Sequence, residues 1–210
     1  MQSRIRLASP ADGPALAAIY APAVATRATS FELVPPSAEE MAARVAKTLA
    51  RMPWLVCERE GAVLGYAYAS PHRERAAYRW SVEVSVYVDE RIHRSGMGRA
   101  LYTALFGILA LQGYRTALAG IALPHPASVG LHESLGFVLG GVYRGIGYKL
   151  GGWHDVGWWQ RDLAPREASP EEPRALPEIL GDEGFAQALA VGERLLDEAR
   201  IGGAVRAAGG

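Results

Sequence analysis

The sequence predicts a mixed α/β domain, and three observations carry that expectation. Segments with strand alternation and segments with helical spacing follow one another as far as Leu163. Tight, glycine-containing turns separate neighbouring strand candidates. Half of the 210 residues are apolar, enough for a sizeable core in one compact unit.

Ile5 to Leu7 reads as a short strand, and Asp12 with Pro14 opens a helix whose Leu16, Ile19, Tyr20 and Val24 recur at helical spacing. Ser37-Ala38-Glu39-Glu40 supplies a capping box for a second helix running to about Ala50. Pro53 ends it. Trp54 to Glu58 and Ala62 to Ala69 form a hairpin about Arg59-Glu60-Gly61. In the strand from Trp80 to Val88, Val82, Val84, Val86 and Val88 share one face, while Glu83 projects from the other. A basic, glycine-containing loop then leads into a helix from about Arg99 to Gln112, closed by Gly113. Thr116 to Leu123 is a strand and Ser128 to Leu135 a short helix ended by Gly136. Phe137 to Tyr143 and Val156 to Leu163 are the closing strands.

Beyond Pro165, prolines interleaved with glutamates favour an extended linker over 165–182, followed by a tail, 183–210. The tail can form an amphipathic helix through Phe185, Leu189, Leu196 and Ala199, with a glycine-rich frayed end. Residues 1–164 are expected to form the functional domain.

The charge is balanced, with 22 basic and 22 acidic residues, which favours a small partner over nucleic acid or a membrane surface. Cys57 is the only cysteine, which suits a reducing compartment such as the cytoplasm. No stretch is long and apolar enough to read as a signal peptide or a membrane span. No metal is expected, because the histidines lack His-Glu-x-x-His spacing and no cysteine pair exists.

The informative segment runs from Val86 to Leu101, as strand, glycine turn and helix. Backbone N–H groups at a helix start have no intrahelical acceptor and sit at the positive end of the dipole. Gly96 and Gly98 allow close approach, and Arg94 and Arg99 add positive charge, so the turn suits a pyrophosphate. A dinucleotide fingerprint would need a third glycine near Leu101, and a Walker loop a Gly-Lys-Ser/Thr ending; neither is present.

His93-Arg94-Ser95-Gly96-Met97-Gly98 resembles the Arg/Gln-x-x-Gly-x-Gly/Ala signature of the GNAT acetyltransferase superfamily, with His93 at the Arg/Gln position. Pro53-Trp54-Leu55-Val56, Gly65-Tyr66-Ala67-Tyr68-Ala69 and Glu83-Val84-Ser85-Val86-Tyr87-Val88 are similar to segments of phosphinothricin and methionine sulfoximine/sulfone acetyltransferases. So are His132-Glu133-Ser134-Leu135-Gly136-Phe137 and Gly152-Trp153-His154-Asp155-Val156-Gly157-Trp158-Trp159-Gln160. The resemblance spans residues 4 to 164 and implies a GNAT fold: a central, mostly antiparallel twisted sheet of about six to seven strands flanked by helices. It also implies acetyl-CoA as co-substrate, a small amino-acid-like amine as acceptor, and a homodimer.

The same resemblance implies the site. Val86, Tyr87 and Val88 would pair with the pantetheine arm, and Arg94, Ser95, Gly96, Met97, Gly98 and Arg99 would wrap the pyrophosphate. His125, where the family has Asn, and Ser128 would contact the co-substrate. An attacking amine must lose a proton, for which Glu83 is the first candidate base; His132 is the second catalytic candidate, as base or as acid. Arg73, Arg75 and Tyr78 fall where the family binds its acceptor, and a guanidinium suits a carboxylate or phosphinate. Phe31, Val84 and Ser85 complete the expected acceptor pocket, while Trp153, Trp158 and Trp159 read as packing or dimer contacts. The alternatives are a GNAT enzyme for protein N-termini, lysines or polyamines, and a non-enzymatic acyl-CoA-binding module.

Overall fold

A computed structural model describes residues 3–92 and 95–208, with side chains described for 3–92 and 95–196. His93 and Arg94 of the glycine turn lie outside the described residues. The order is β1 (Ser3–Leu7), α1 (Gly13–Ala25), α2 (Ala38–Leu49), β2 (Trp54–Arg59), β3 (Ala62–Pro71), β4 (Ser81–Val88), α3 (Met97–Gln112), β5 (Thr116–Leu123), α4 (Pro126–Ser134), β6 (Val138–Lys149), β7 (Gly152–Asp162) and α5 (Glu183–Ala208). The strands form a seven-stranded sheet in the order β1-β2-β3-β4-β5-β7-β6, antiparallel everywhere except between β4 and β5. This is the mixed α/β architecture that the sequence predicts.

Strand alternation divides the core into two layers. Leu55, Cys57, Ala67, Ala69, Val82 and Val84 pack with α3 and α5, whereas Trp54, Val56 and Tyr66 pack with Leu16, Tyr20 and Val24 of α1 and Met41 and Val45 of α2. Burying each such aliphatic side chain contributes roughly 1.5–3 kcal/mol. The valine face of β4 therefore looks to α3, and Glu83, Ser85 and Tyr87 look the other way, as their alternation requires. The capping box of α2 forms as read: Glu40 N–H donates to Ser37 Oγ at 3.2 Å, and Ser37 N–H to Glu40 Oε2 at 2.7 Å. On the same side of the molecule the Arg6 guanidinium forks onto both carboxylate oxygens of Asp12, each at 2.8 Å.

The region after Pro165 departs from an extended linker. Arg174 N–H donates to Gln112 carbonyl and Leu176 N–H to Arg51 carbonyl, and the side chains of Leu176 and Ile179 are buried in the main core. Prolines report that a helix is disfavoured; they do not report whether the extended chain finds a surface, and Leu176 and Ile179 are the anchors that do. The tail helix α5 is likewise part of the body: Phe185, Ala188 and Leu196 are buried in the core shared with α3, and Glu193 Oε1 accepts from Ile5 N–H at 2.9 Å.

The closing hairpin is also longer than its alternation suggested. β6 and β7 continue through Lys149 and Gly152, with register shifts between Leu139 and Gly141 and between Tyr143 and Gly147. Gly140 and Gly145 fall within these shifts, where extra residues are absorbed as bulges. No helix among the described residues is long and apolar enough to cross a membrane.

Candidate active site

β4 and β5 pair over only three positions, Ser81 with Thr116, Val82 with Ala117 and Glu83 with Leu118, and then diverge. The space between them is a cleft of about 580 Å³. Val84, Ser85, Val86, Tyr87 and Val88 form one wall and Ala119 to Ala122 the other, so two strands whose outer edges are paired with β3 and β7 turn backbone toward the cleft. Ser95, Gly96, Met97, Gly98 and Arg99 lie at the start of α3, and His125, Ser128 and His132 line the α4 side.

The turn into α3 depends on Gly96, which caps the helix at φ 78°, a left-handed conformation that disfavours a side chain. The first N–H groups of α3 thus enter the cleft at the positive end of a 16-residue helix. Arg99 lines the cleft, but its Nη2 donates to Ser134 Oγ at 2.6 Å, so this guanidinium is anchored on α4. Arg27, at the end of α1, also lines the cleft and pairs with Glu90 at 2.7 Å; sequence reading passed over both.

His132 is 4% exposed, and burial pushes its imidazole below the ordinary range, which keeps it neutral. Nδ1 carries the proton and donates to Ser128 carbonyl at 2.7 Å, so Nε2 accepts from Tyr102 O–H at 3.1 Å. Tyr102 lies on α3 among aliphatic residues and burial pushes its phenol upward. Its signal in the sequence was a polar tip on an otherwise apolar helix face, which demands a buried partner. His125 acts locally: its Nδ1 accepts Ser128 N–H at 3.1 Å and caps α4.

Glu83 is not among the residues lining that cleft. It sits at the last paired position of β4, with Oε1 2.9 Å from His72 Nδ1 and 3.6 Å from Arg73 Nη1. His72 meets Tyr78 and Trp158 edge-on, with ring centroids 5.7 and 5.9 Å away, and the Arg73 guanidinium lies 6.0 Å over Trp158. Trp158 in turn packs on Gly120 of the cleft wall. Glu83, His72, Arg73, Tyr78 and Trp158 thus form one cluster beside the point where the strands part. Trp158 is accordingly more than a packing residue, while Trp159 is buried in the core and Trp153 is 70% exposed.

The remaining acceptor candidates are spread more widely. Arg75 is exposed at the start of the single helical turn Ala76–Tyr78. Phe31 lies against Gly147 of β6, where any Cβ would fall 2.3 Å from the ring, and 6.2 Å from the His154 ring. It belongs to the β6–β7 hairpin, not to the cleft lining.

A parallel strand pair that opens into a cleft, with a glycine-capped helix start at one end and backbone along both walls, is the layout of an acyltransferase fold. The chain belongs to the GNAT acetyltransferases: the family described as acetyltransferase (GNAT) domain matches residues 5–158. It is 44% identical over 170 residues to a phosphinothricin N-acetyltransferase of Streptomyces viridochromogenes, covering 80% of this chain and 93% of the relative. It is 36% identical over 175 residues to an L-methionine sulfoximine/L-methionine sulfone acetyltransferase of Pseudomonas aeruginosa, covering 81% of this chain and all of the relative. Among solved structures, a phosphinothricin acetyltransferase from Sinorhizobium meliloti in complex with acetyl-CoA superposes with TM-score 0.78 at 38% identity, covering 83% of this chain and 96% of that one. The chain is an acetyl-CoA-dependent N-acetyltransferase.

Proposed function

We propose that the chain transfers the acetyl group directly to the primary amine of a small amino-acid-like acceptor of the phosphinothricin, methionine sulfoximine or methionine sulfone type. The observation that carries this reading is the cluster of Glu83, His72, Arg73 and Trp158 beside the mouth of the β4–β5 cleft: a carboxylate to take a proton, and a guanidinium to meet an acidic group. The named activities of the relatives support the same acceptor class.

Backbone of Val86 to Val88 and the N-terminal turn of α3 hold the co-substrate, and a backbone N–H of the strand stabilises the oxygen of the reacting carbonyl. Glu83 takes the proton from the attacking nitrogen, and the Tyr102 hydroxyl, held on His132 Nε2 at the cleft wall, turns to give its proton to the departing sulfur and regains one from solvent. A covalent acyl-cysteine has no support, because Cys57 is buried and burial pushes its thiol up to about 12. A reducing cytoplasm suits this free thiol. The homodimer has a candidate face on the outer strand β6 and its hairpin, where Val138, Leu139, Tyr143, Ile146 and Trp153 are all exposed.

The test is thiol release from acetyl-CoA with phosphinothricin, methionine sulfoximine, methionine sulfone, ordinary amino acids, a peptide N-terminus and spermidine. Turnover with the first three is expected to exceed the rest by at least about 10-fold in kcat/KM. Turnover confined to the peptide or the polyamine would sink the acceptor assignment.

A further inference from the structure

His72 follows directly on β3, where the register pairs Ser70 with Glu83 and Pro71 with Val82. That register brings its imidazole onto the carboxylate, Nδ1 to Oε1 at 2.9 Å. The ring is braced edge-on by Tyr78 and Trp158, and the side chain is 14% exposed against 31% for Glu83. Arg73 approaches the same oxygen, Oε1, at 3.6 Å, and Oε2 takes no part in either contact.

We propose that His72 is a positioning residue that sets the aim of the Glu83 carboxylate, an inference that rests on the reading of Glu83 as the base. A neutral imidazole donates Nδ1–H to Oε1 and fixes the plane of the carboxylate, directing Oε2 to the attacking nitrogen. The proton passes from that nitrogen to Glu83 as its lone pair forms the C–N bond and the C–S bond breaks. The charged and titratable groups around His72 are Glu83 on β4, Tyr78 on the helical turn and Arg73 of its own loop, while β7 contributes the Trp158 ring.

The experiment compares wild-type enzyme with H72N, H72F and E83Q over about pH 5.5 to 9, using phosphinothricin and methionine sulfone as acceptors and circular dichroism melts to verify folding. Asparagine keeps an N–H near the Nδ1 position. H72F is expected to lower kcat at least about 10-fold, short of the roughly 10²- to 10⁴-fold loss expected for E83Q. H72N is expected to recover to within about 3-fold of wild type at pH 8, with KM for acetyl-CoA unchanged. If H72F keeps the wild-type kcat and pH profile while E83Q is slow, His72 has no positioning role. Equal losses in H72N and H72F would reduce His72 to packing and overturn the proposal. Wild-type kcat in E83Q would instead remove Glu83 as base, and the inference with it.

Discussion

Tyr102 donates its phenolic proton to Nε2 of His132 across 3.1 Å, and the other imidazole nitrogen is spent on the carbonyl of Ser128 at 2.7 Å. The tautomer is therefore set by the α4 backbone, and the group that meets His132 from α3 is a hydroxyl.

Tyr102→Phe removes that donor and leaves Nε2 buried without it. We expect a loss of about 1–3 kcal/mol in stability and a fall in kcat of at least about 10-fold. Urea unfolding together with thiol-release kinetics checks both, and unaltered kcat in a folded variant would detach the pair from catalysis.

The same burial has a pH signature. The folded pKa of His132 lies below its unfolded value, so its contribution to stability is complete above the ordinary imidazole value of about 6.5 and is lost as pH falls through the folded value. Melting temperatures of wild type and H132Q measured on acidification should converge in slope-corrected form, with the steeper decline below about pH 6.5 belonging to wild type. Parallel curves would contradict this.

At more acidic pH the Arg6–Asp12 fork takes over. The Arg6 hydrogen bonds hold the Asp12 carboxyl below the usual carboxylate range, so this stabilisation is present above about pH 4 and disappears as pH falls through the depressed folded value. Arg6→Met should cost about 2 kcal/mol at neutral pH and show a shallower acid dependence than wild type in urea titrations.

Gly96→Val places a β-branched side chain at φ 78° in the turn that begins α3. Affinity for acetyl-CoA, read by calorimetry, should weaken by at least about 10-fold while the circular dichroism spectrum is retained. Normal affinity would dissociate this turn from diphosphate binding.

Ile179 is fully buried although it lies in a stretch rich in proline and acid. Ile179→Ala should therefore lower stability by about 2–5 kcal/mol, as a core position does. A change under about 0.5 kcal/mol, normal for a surface site, would return residues 165–182 to the status of a loose linker.

Features that repeat within one segment were readable before any coordinates. The valine alternation of β4, the Ser37–Glu40 capping box and the glycine turn into α3 each specify a backbone path by local chemistry, and each lies where expected. Properties that belong to pairs of segments were not. A strand-forming sequence does not state which neighbour it abandons, so the parting of β4 and β5 after Glu83 and Leu118 was hidden. His72 gains meaning only once the β3–β4 register brings it to Glu83, and Tyr102 only once α4 packs against α3. Arg99 was legible as a positive charge at the turn, but its hydrogen bond to Ser134 of α4 belongs to the packing of two segments.

The Arg27–Glu90 contact, formed between side chains that are 47% and 43% exposed, has little energetic weight of its own. Its effect is on disorder instead. An arginine left in solvent samples many rotamers, all but a few of which must be given up when an anion docks. Drawn to Glu90 at the cleft edge, Arg27 samples fewer of those rotamers than an unpaired arginine would, so the rim of the cleft is better ordered there than its exposure alone suggests.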